Sequence, residues 1–384
     1  MDFFGSFLTW SCDAEVKYAI VTWAVNKPDK REYTEENMKE GRLYFASDYM
    51  EGAHPNIIDR LCETNYIHTG GYGLDEITDS AIRRIREACG CPEAEVKLLV
   101  GGTQTNAIVI RSLLRSYQGV IAADSGHIAI HEAGAIELGG HKVICLPNKS
   151  GKISAAQVEE CIRAYEQDDN REHIVMPGMV YISQPTEYGT LYSLDELIAL
   201  SRVCRSHDIP LYMDGARLAY ALASEENDID LPDYAKLCDV FYIGGTKCGA
   251  LFGEAVVLPD PARIPHFFSI IKQNGGLLAK GRILGIQFDE LFKDELYLRI
   301  GKKAVRYAVR ITEALREKGY PVYMDSPTNQ IFIIVEDDKL EHLREKVEYS
   351  YIEKYDDTHT VIRFCTSWAT RKEDVDDLIG LFEG

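Results

Sequence analysis

From residue 42 onward the chain alternates short, largely apolar runs with amphipathic segments, and this alternation restricts the fold more than any other feature. Strands of such composition cannot face water on either side, so they need helices over both faces of their sheet. Lys97-Leu98-Leu99-Val100, Gly119-Val120-Ile121-Ala122-Ala123, Met179-Val180-Tyr181-Ile182-Ser183, Ile209-Pro210-Leu211-Tyr212-Met213 and Val240-Phe241-Tyr242-Ile243 read as buried strands. Between them, residues 104–117, 155–166 and 193–206 carry apolar positions at three- and four-residue spacing, which predicts helices. Ser193 with Glu196 predicts a capping box for the last of these. A long helix is expected after Gly281. The expected fold is therefore α/β, with a mostly parallel central sheet covered by helices on both faces. From about residue 290 the texture changes to a helix at 302–318, strands at 330–335 and 360–366, and a closing helix at 372–382. The expected division is an N-terminal extension and linker at 1–41, a large domain at 42–289 and a small α+β domain at 290–384.

Charge narrows the partners. With 61 acidic against 42 basic side chains, the net charge of -19 argues against nucleic acid and anionic membranes, both of which reward a basic face. A small-molecule partner is expected. Ten scattered cysteines fit reduced thiols and a cytoplasmic location better than a disulfide framework. Cys89-Gly90-Cys91 lacks the second pair or histidine cluster that a zinc site needs, so no metal is expected there. Near the N-terminus, Phe3-Phe4-Gly5-Ser6-Phe7-Leu8-Thr9-Trp10 is apolar, but it is short and follows Asp2 without a basic region. It reads as neither signal peptide nor membrane anchor. Residues 26–40 are almost wholly polar and read as a linker or a solvated helix. Residues 1–37 are expected to be an appendage, with an upstream start codon as one origin.

Two strand ends then carry chemistry. Lys247 lies just past an apolar strand in Gly244-Gly245-Thr246-Lys247-Cys248-Gly249, and Asp214 ends another in Met213-Asp214-Gly215-Ala216-Arg217. The pairing suggests pyridoxal 5'-phosphate: the amine forms an imine with the cofactor aldehyde, and the carboxylate keeps the ring nitrogen protonated. For Asp214 the plainer alternative is a helix N-cap for the segment starting at Ala216. Gly101-Gly102-Thr103-Gln104 follows a strand and opens a helix, where unpaired N–H groups can cradle a phosphate; a tight glycine turn is the plainer alternative. His127, past the strand ending at Ala123, stands where open parallel sheets gather ligands and could lie flat on a pyridine ring, or it is a hydrogen-bonded loop histidine. His131-Glu132 lacks the order and third ligand of a metal site. The Arg217 guanidinium suits a substrate carboxylate or phenolic oxygen; an ion pair within the fold is the alternative.

These residues resemble the threonine aldolases of the β-eliminating lyase superfamily, within the fold type I pyridoxal-phosphate enzymes. The resemblance runs from about residue 44 to the end, through Ser47-Asp48, Gly71-Tyr72-Gly73-Leu74-Asp75, Gly102-Thr103, Asp124-Ser125-Gly126-His127 with Glu132-Ala133-Gly134-Ala135, Asp214-Gly215-Ala216-Arg217 and the Lys247 segment. It implies that Lys247 bonds the cofactor, Asp214 pairs with the ring nitrogen, and His127 stacks on the ring and takes part in proton transfer. It further implies that Gly102, Thr103 and Gln104 hold the phosphate. Ser47, Arg217 and Arg363, the last in Val361-Ile362-Arg363-Phe364, would orient the substrate carboxylate. Tyr72 would reach in from a neighbouring subunit, and either Lys280 or Arg282 would reach a neighbour's phosphate, so a homo-oligomer, dimer or tetramer, is implied. The chain departs from the family at Gln104-Thr105, Cys248 and His131. The implied reaction cleaves threonine, allo-threonine or related 3-hydroxy amino acids to glycine and an aldehyde, with His127 or a water it holds as base. β-Elimination or transamination on the same cofactor is the competing chemistry, and a non-catalytic cofactor or amino-acid binder is a third alternative.

Overall fold

A computed structural model describes residues 41–382, so the expectations for the N-terminal extension lie almost wholly outside the described residues. The strands are β1 (Leu43–Tyr44), β2 (Glu95–Leu99), β3 (Gln118–Ala123), β4 (Val143–Leu146), β5 (Met176–Ser183), β6 (Leu211–Asp214), β7 (Val240–Gly244) and β8 (Glu254–Leu258). They continue with β9 (Val322–Met324), β10 (Gln330–Glu336), β11 (Val347–Glu348), β12 (Ser350–Lys354) and β13 (His359–Cys365).

Side chains alternate across a strand, and in the buried strands both sets are apolar. Val180, Ile182, Leu211, Met213, Phe241 and Ile243 pack into one hydrophobic cluster. Their neighbours Met179, Tyr181, Tyr212, Val240 and Tyr242 pack into another. The sheet between these cores has seven strands in the order β2-β8-β7-β6-β5-β3-β4. Its strands run parallel except at β8, which pairs antiparallel with both β7 and β2. The mostly parallel α/β sheet expected from the sequence is therefore present. The carboxyl ends of β2, β3, β5, β6 and β7 share one edge, where Leu99, Ala123, Ser183, Asp214 and Gly244 are the last strand residues. Ligands of open parallel sheets bind outside such an edge.

The helices match their periodic segments, with the ends shifted. The helix at Leu194–Ser206 begins with the expected capping box, the Ser193 hydroxyl accepting from the Glu196 N–H. A second box, Ser154 with Gln157, opens the helix at Ala155–Gln167. The helix expected after Gly281 is present but short, Arg282–Leu291, and the one expected at 302–318 is Leu296–Glu317. Asp294 and Glu295 both have positive φ, 50° and 56°, which breaks the helical path between them.

The C-terminal region builds a four-stranded sheet in the order β12-β13-β10-β9, paired antiparallel. Ile331, Ile333, Ile362 and Phe364 from this sheet pack with Ala308, Ile311 and Leu315 of the 22-residue helix and with Val375 and Leu378 of the last one. The first strand joins this layer: β1 pairs parallel with β11, and Phe45 enters the same cluster. The segment that follows is tied on both sides of Ser47: the Ala46 carbonyl accepts from Ser350 and Arg363, and Asp48 accepts from Arg217 and Asn329. Cys89 is part of the core, where burial pushes its thiol up to about 12. Among the described residues no helix is long and apolar enough to cross a membrane.

Candidate active site

Asp214 is only 4% exposed, and a buried carboxylate is costly unless it is paired. Four donors meet it. Oδ1 accepts from the Tyr242 hydroxyl at 2.5 Å and the Ala216 N–H at 3.0 Å. Oδ2 accepts from the Tyr181 hydroxyl at 2.6 Å and from Asn106 Nδ2 at 3.1 Å. Burial pushes the Asp214 carboxyl up, but the His127 charge and the donors outweigh it and hold the group below the usual carboxylate range. Burial also raises the Tyr181 and Tyr242 phenols well above their ordinary value, so both remain neutral donors. The bond to Ala216 matches the capping alternative in part, although the helix itself starts at Leu218.

Asn106 extends the network. Its Nδ2 also donates to Glu132 Oε1 at 2.7 Å, and its Oδ1 accepts from the Tyr212 hydroxyl at 2.8 Å. The same Glu132 oxygen lies 2.8 Å from His127 Nδ1, and the Glu132 side chain is fully buried. A carboxylate can only accept here, so Nδ1 carries the proton. Burial pulls the His127 pKa down, but the Glu132 hydrogen bond and the charges of Glu187 and Asp214 raise it above its ordinary value. His131 stands exposed beside it, the ring centroids 5.6 Å apart.

Lys247 leaves β7, the strand next to β6, at the same edge as Asp214. The two turns close against each other because both carry glycine. A Cβ at Gly215 would stand 2.0 Å from the Tyr242 carbonyl oxygen, and one at Gly244 would stand 2.3 Å from that of Ala216. The Lys247 carbonyl accepts from the Tyr220 hydroxyl at 2.5 Å. Its ammonium has no hydrogen-bond partner among the described residues, yet its charge acts on Asp48, His127 and Glu254. Glu254 lies opposite Gly244 and accepts from the Thr246 hydroxyl at 2.8 Å and the Gly245 N–H at 3.2 Å. Burial pushes its carboxyl up to about 8, against the pull of Thr246 and Lys247.

The helix Gly102–Leu113 starts beside this group. The first intrahelical bond runs from the Thr105 N–H to the Gly101 carbonyl, which leaves the N–H groups of Gly102, Thr103 and Gln104 without helical acceptors. A Cβ at Gly102 would stand 3.2 Å from the Tyr242 hydroxyl, so one phenol separates this helix start from Asp214.

Arg217 is largely committed within the fold. Its Nε and Nη2 donate to Asp48 at 2.6 and 3.0 Å, and Asn329 Nδ2 adds a bond to Asp48 at 2.9 Å. The ion-pair alternative is therefore present, while Nη1 makes no hydrogen bond among the described residues. Arg363 donates from Nη1 to Gln330 at 3.0 Å, and from Nη2 to Ser350 at 3.1 Å and to the Ala46 carbonyl at 3.3 Å. That last contact brings Arg363 next to Ser47.

Three expected residues stand elsewhere within the single chain. Tyr72 is exposed with φ 60°, and the Lys272 ammonium lies over its ring at 4.3 Å. Arg282 donates to the carbonyls of Thr64, Asn65 and Ile67, which close the helix Pro55–Glu63, so its guanidinium is occupied locally. Lys280 is exposed and makes no hydrogen bond or ion pair among the described residues.

The sequence alone assigns no part in the Asp214 network to Asn106, Tyr181 or Tyr242, and no function to Glu254 or Glu187. Asn106 carried a signal, an amide in the first turns of an otherwise apolar helix. The phenols looked like core aromatics, and nothing local marked the two carboxylates.

The sequence matches the profile described as beta-eliminating lyase over residues 45–342. It is 30% identical over 346 residues to the low specificity L-threonine aldolase of Pseudomonas aeruginosa, covering 89% of this chain and 97% of that one. The structure of a threonine aldolase from Leishmania major superposes with a TM-score of 0.86 at 40% identity, over 88% of this chain and 98% of that one. A Thermus thermophilus aspartate aminotransferase, at 14% identity and a TM-score of 0.66, shares the fold. Strand order, site and relatives agree on the fold of the type I pyridoxal-phosphate enzymes, and the chain belongs to the beta-eliminating lyase family, among its threonine aldolases.

Proposed function

We propose that this protein is a pyridoxal-phosphate-dependent aldolase, a carbon–carbon lyase that cleaves L-threonine, L-allo-threonine or related 3-hydroxy amino acids to glycine and an aldehyde. The observation that carries this reading is one sheet edge that carries both Lys247, whose ammonium has no hydrogen-bond partner among the described residues, and Asp214, a carboxylate kept ionised under burial. The groups fit the cofactor: the helix start at Gly102 offers uncommitted N–H groups to a phosphate, and a side chain at 102 would press on Tyr242. Relatives named as threonine aldolases favour aldol cleavage over β-elimination or transamination.

When bound, pyridoxal phosphate supplies an electron sink for the bond that breaks at Cα. Lys247 would attach the cofactor, Gly102, Thr103 and Gln104 would receive its phosphate, and Asp214 would hold a proton on its ring nitrogen. His127, fixed by Glu132, would cover one face of the ring. Arg363, tethered by Gln330 and Ser350, would receive the substrate carboxylate with Ser47 and the open Nη1 of Arg217. Holding that carboxylate would fix the orientation of the substrate at Cα, and that orientation would select the bond that breaks.

The domain division at 289/290 and a cytoplasmic location belong to the same proposal. So does a homo-oligomer, dimer or tetramer, in which Tyr72 and Lys280 serve a neighbour's site. The large exposed side chains of Tyr66, Ile67, Tyr72 and Leu74 on one stretch support such an assembly. The test is borohydride reduction of the yellow holoenzyme followed by peptide mapping, together with product analysis on threonine. Label at Lys247 with glycine and acetaldehyde as products is expected; ammonia with a keto acid would overturn the aldolase reading.

A further inference from the structure

Glu187 is a carboxylate for which the chemistry above has no use, and it faces the site. It lies in the loop between β5 and the helix Leu194–Ser206. The loop is clamped to the C-terminal sheet: Gln330 Nε2 donates to the Glu187 carbonyl at 3.5 Å, and the Thr328 hydroxyl donates to the Gly189 carbonyl at 3.0 Å. Gln330 is also the partner of Arg363, so one amide joins the backbone of Glu187 to the proposed carboxylate-binding arginine. Glu187 lines a small cavity at the carboxyl ends of β3 and β5, together with Ser125, Gly126, Tyr181 and Ser183. Ser125 is 7% exposed and its buried hydroxyl has no hydrogen-bond partner among the described residues, so the cavity is lined by an unsatisfied polar atom as well as by a carboxylate. The Glu187 side chain itself accepts no hydrogen bond among the described residues. Its charge nevertheless reaches His127, Tyr181 and Arg217 and raises the pKa of each.

His127 is less available than a free imidazole to take a proton from the substrate's β-hydroxyl: its Glu132 hydrogen bond and the charges of Glu187 and Asp214 raise its pKa, which leaves less of the neutral ring whose Nε2 could accept a proton. Resting on the proposed aldolase reading, we infer that Glu187 is the general base that removes the β-hydroxyl proton of the substrate. The O–H proton passes to the Glu187 carboxylate, and the O–H electron pair becomes the new C=O bond of the aldehyde. The Cα–Cβ pair stays with the glycine fragment. Cα then gains one proton, so none is consumed overall.

The test separates cleavage from chemistry at Cα. Exchange of the glycine α-proton in heavy water uses the same cofactor but no β-hydroxyl. In the loaded enzyme, Glu187→Gln is expected to lower kcat for threonine cleavage by on the order of 10²–10⁴-fold. The KM for threonine, the glycine exchange rate and pyridoxal phosphate binding to the apoprotein should keep their wild-type values. Formate should restore part of the rate to Glu187→Ala, which also serves if the glutamine variant does not fold. Cleavage by Glu187→Gln at the wild-type rate, or glycine exchange lost in step with cleavage, would overturn the assignment. Wild-type protein that exchanges glycine but releases no aldehyde from threonine would instead sink the aldolase reading, whatever Glu187 does.

Discussion

Two buried carboxylates depend on one amide. Asn106 donates to both Glu132 and Asp214, and the Tyr212 hydroxyl donates to it in turn. Hydrogen bonds to charged groups are each worth about 1.5–3 kcal/mol, so Asn106→Ala should destabilise the protein by about 2–4 kcal/mol in urea unfolding. Asn106→Asp should be worse at pH 8, because it adds a third carboxylate where two already stand; the reverse order would contradict the network. At this scale the sequence revealed the residues whose neighbours announce them. Lys247 among glycines, Asp214 at a strand end, His127 past another and the turn at Gly102 could all be picked out locally. Tyr181 and Tyr242 could not, because a tyrosine in a buried strand reads as apolar filling until a partner for its hydroxyl is known. Arg217 stood between two uses, and only the position of Asp48 shows that two of its nitrogens are taken.

At the scale of elements, local signals worked where a side chain caps or an apolar period repeats. Ser193 and Glu196 close a reciprocal box at the start of Leu194–Ser206. Ser193→Ala should therefore cost about 0.5–2 kcal/mol, with Ser193→Asp close to neutral, measured as shifts in the urea midpoint. The same pattern is equally visible at Ser154 and Gln157. The helix Leu296–Glu317 starts six residues before the expected 302 for a physical reason. Its N-cap, Glu295, is left-handed and offers no capping bond, so no residue type marks the start. Strands β4 and β8 also escaped notice. β4 is only four residues long and partly exposed, and an antiparallel strand such as β8 looks no different in sequence from its parallel neighbours.

For the whole molecule, the Asp48 carboxylate ties the segment after β1 to Arg217 behind β6 and to Asn329 before β10. Burial pushes its carboxyl up, but the Arg217 charge and then that of Lys247 overcome this and bring it to about 2, below the ordinary 3.8. A depressed carboxylate stabilises the fold above its unfolded pKa and stops doing so as pH falls through the folded one. Asp48→Ala strands a buried guanidinium and should cost about 3–5 kcal/mol at pH 7. The difference from wild type should shrink as pH falls from about 4 towards 2. A pH-independent difference in acid and urea unfolding would show that the pair does not carry this effect.

The sequence by itself determined which stretches are buried strands and which are amphipathic helices, because periodicity and caps act within a few residues. It also marked the amine, the carboxylate and the helix start, since each sits beside glycines or at a strand end. The tertiary structure alone decided which groups meet. The contacts of Asn106 with Glu132 and Asp214 and of Asn329 with Asp48 join residues 26, 108 and 281 positions apart. The first two follow from the order β2-β8-β7-β6-β5-β3-β4 and the third from the pairing of β1 with β11 beside the C-terminal sheet, and strands apolar on both faces could be buried equally well in many other orders.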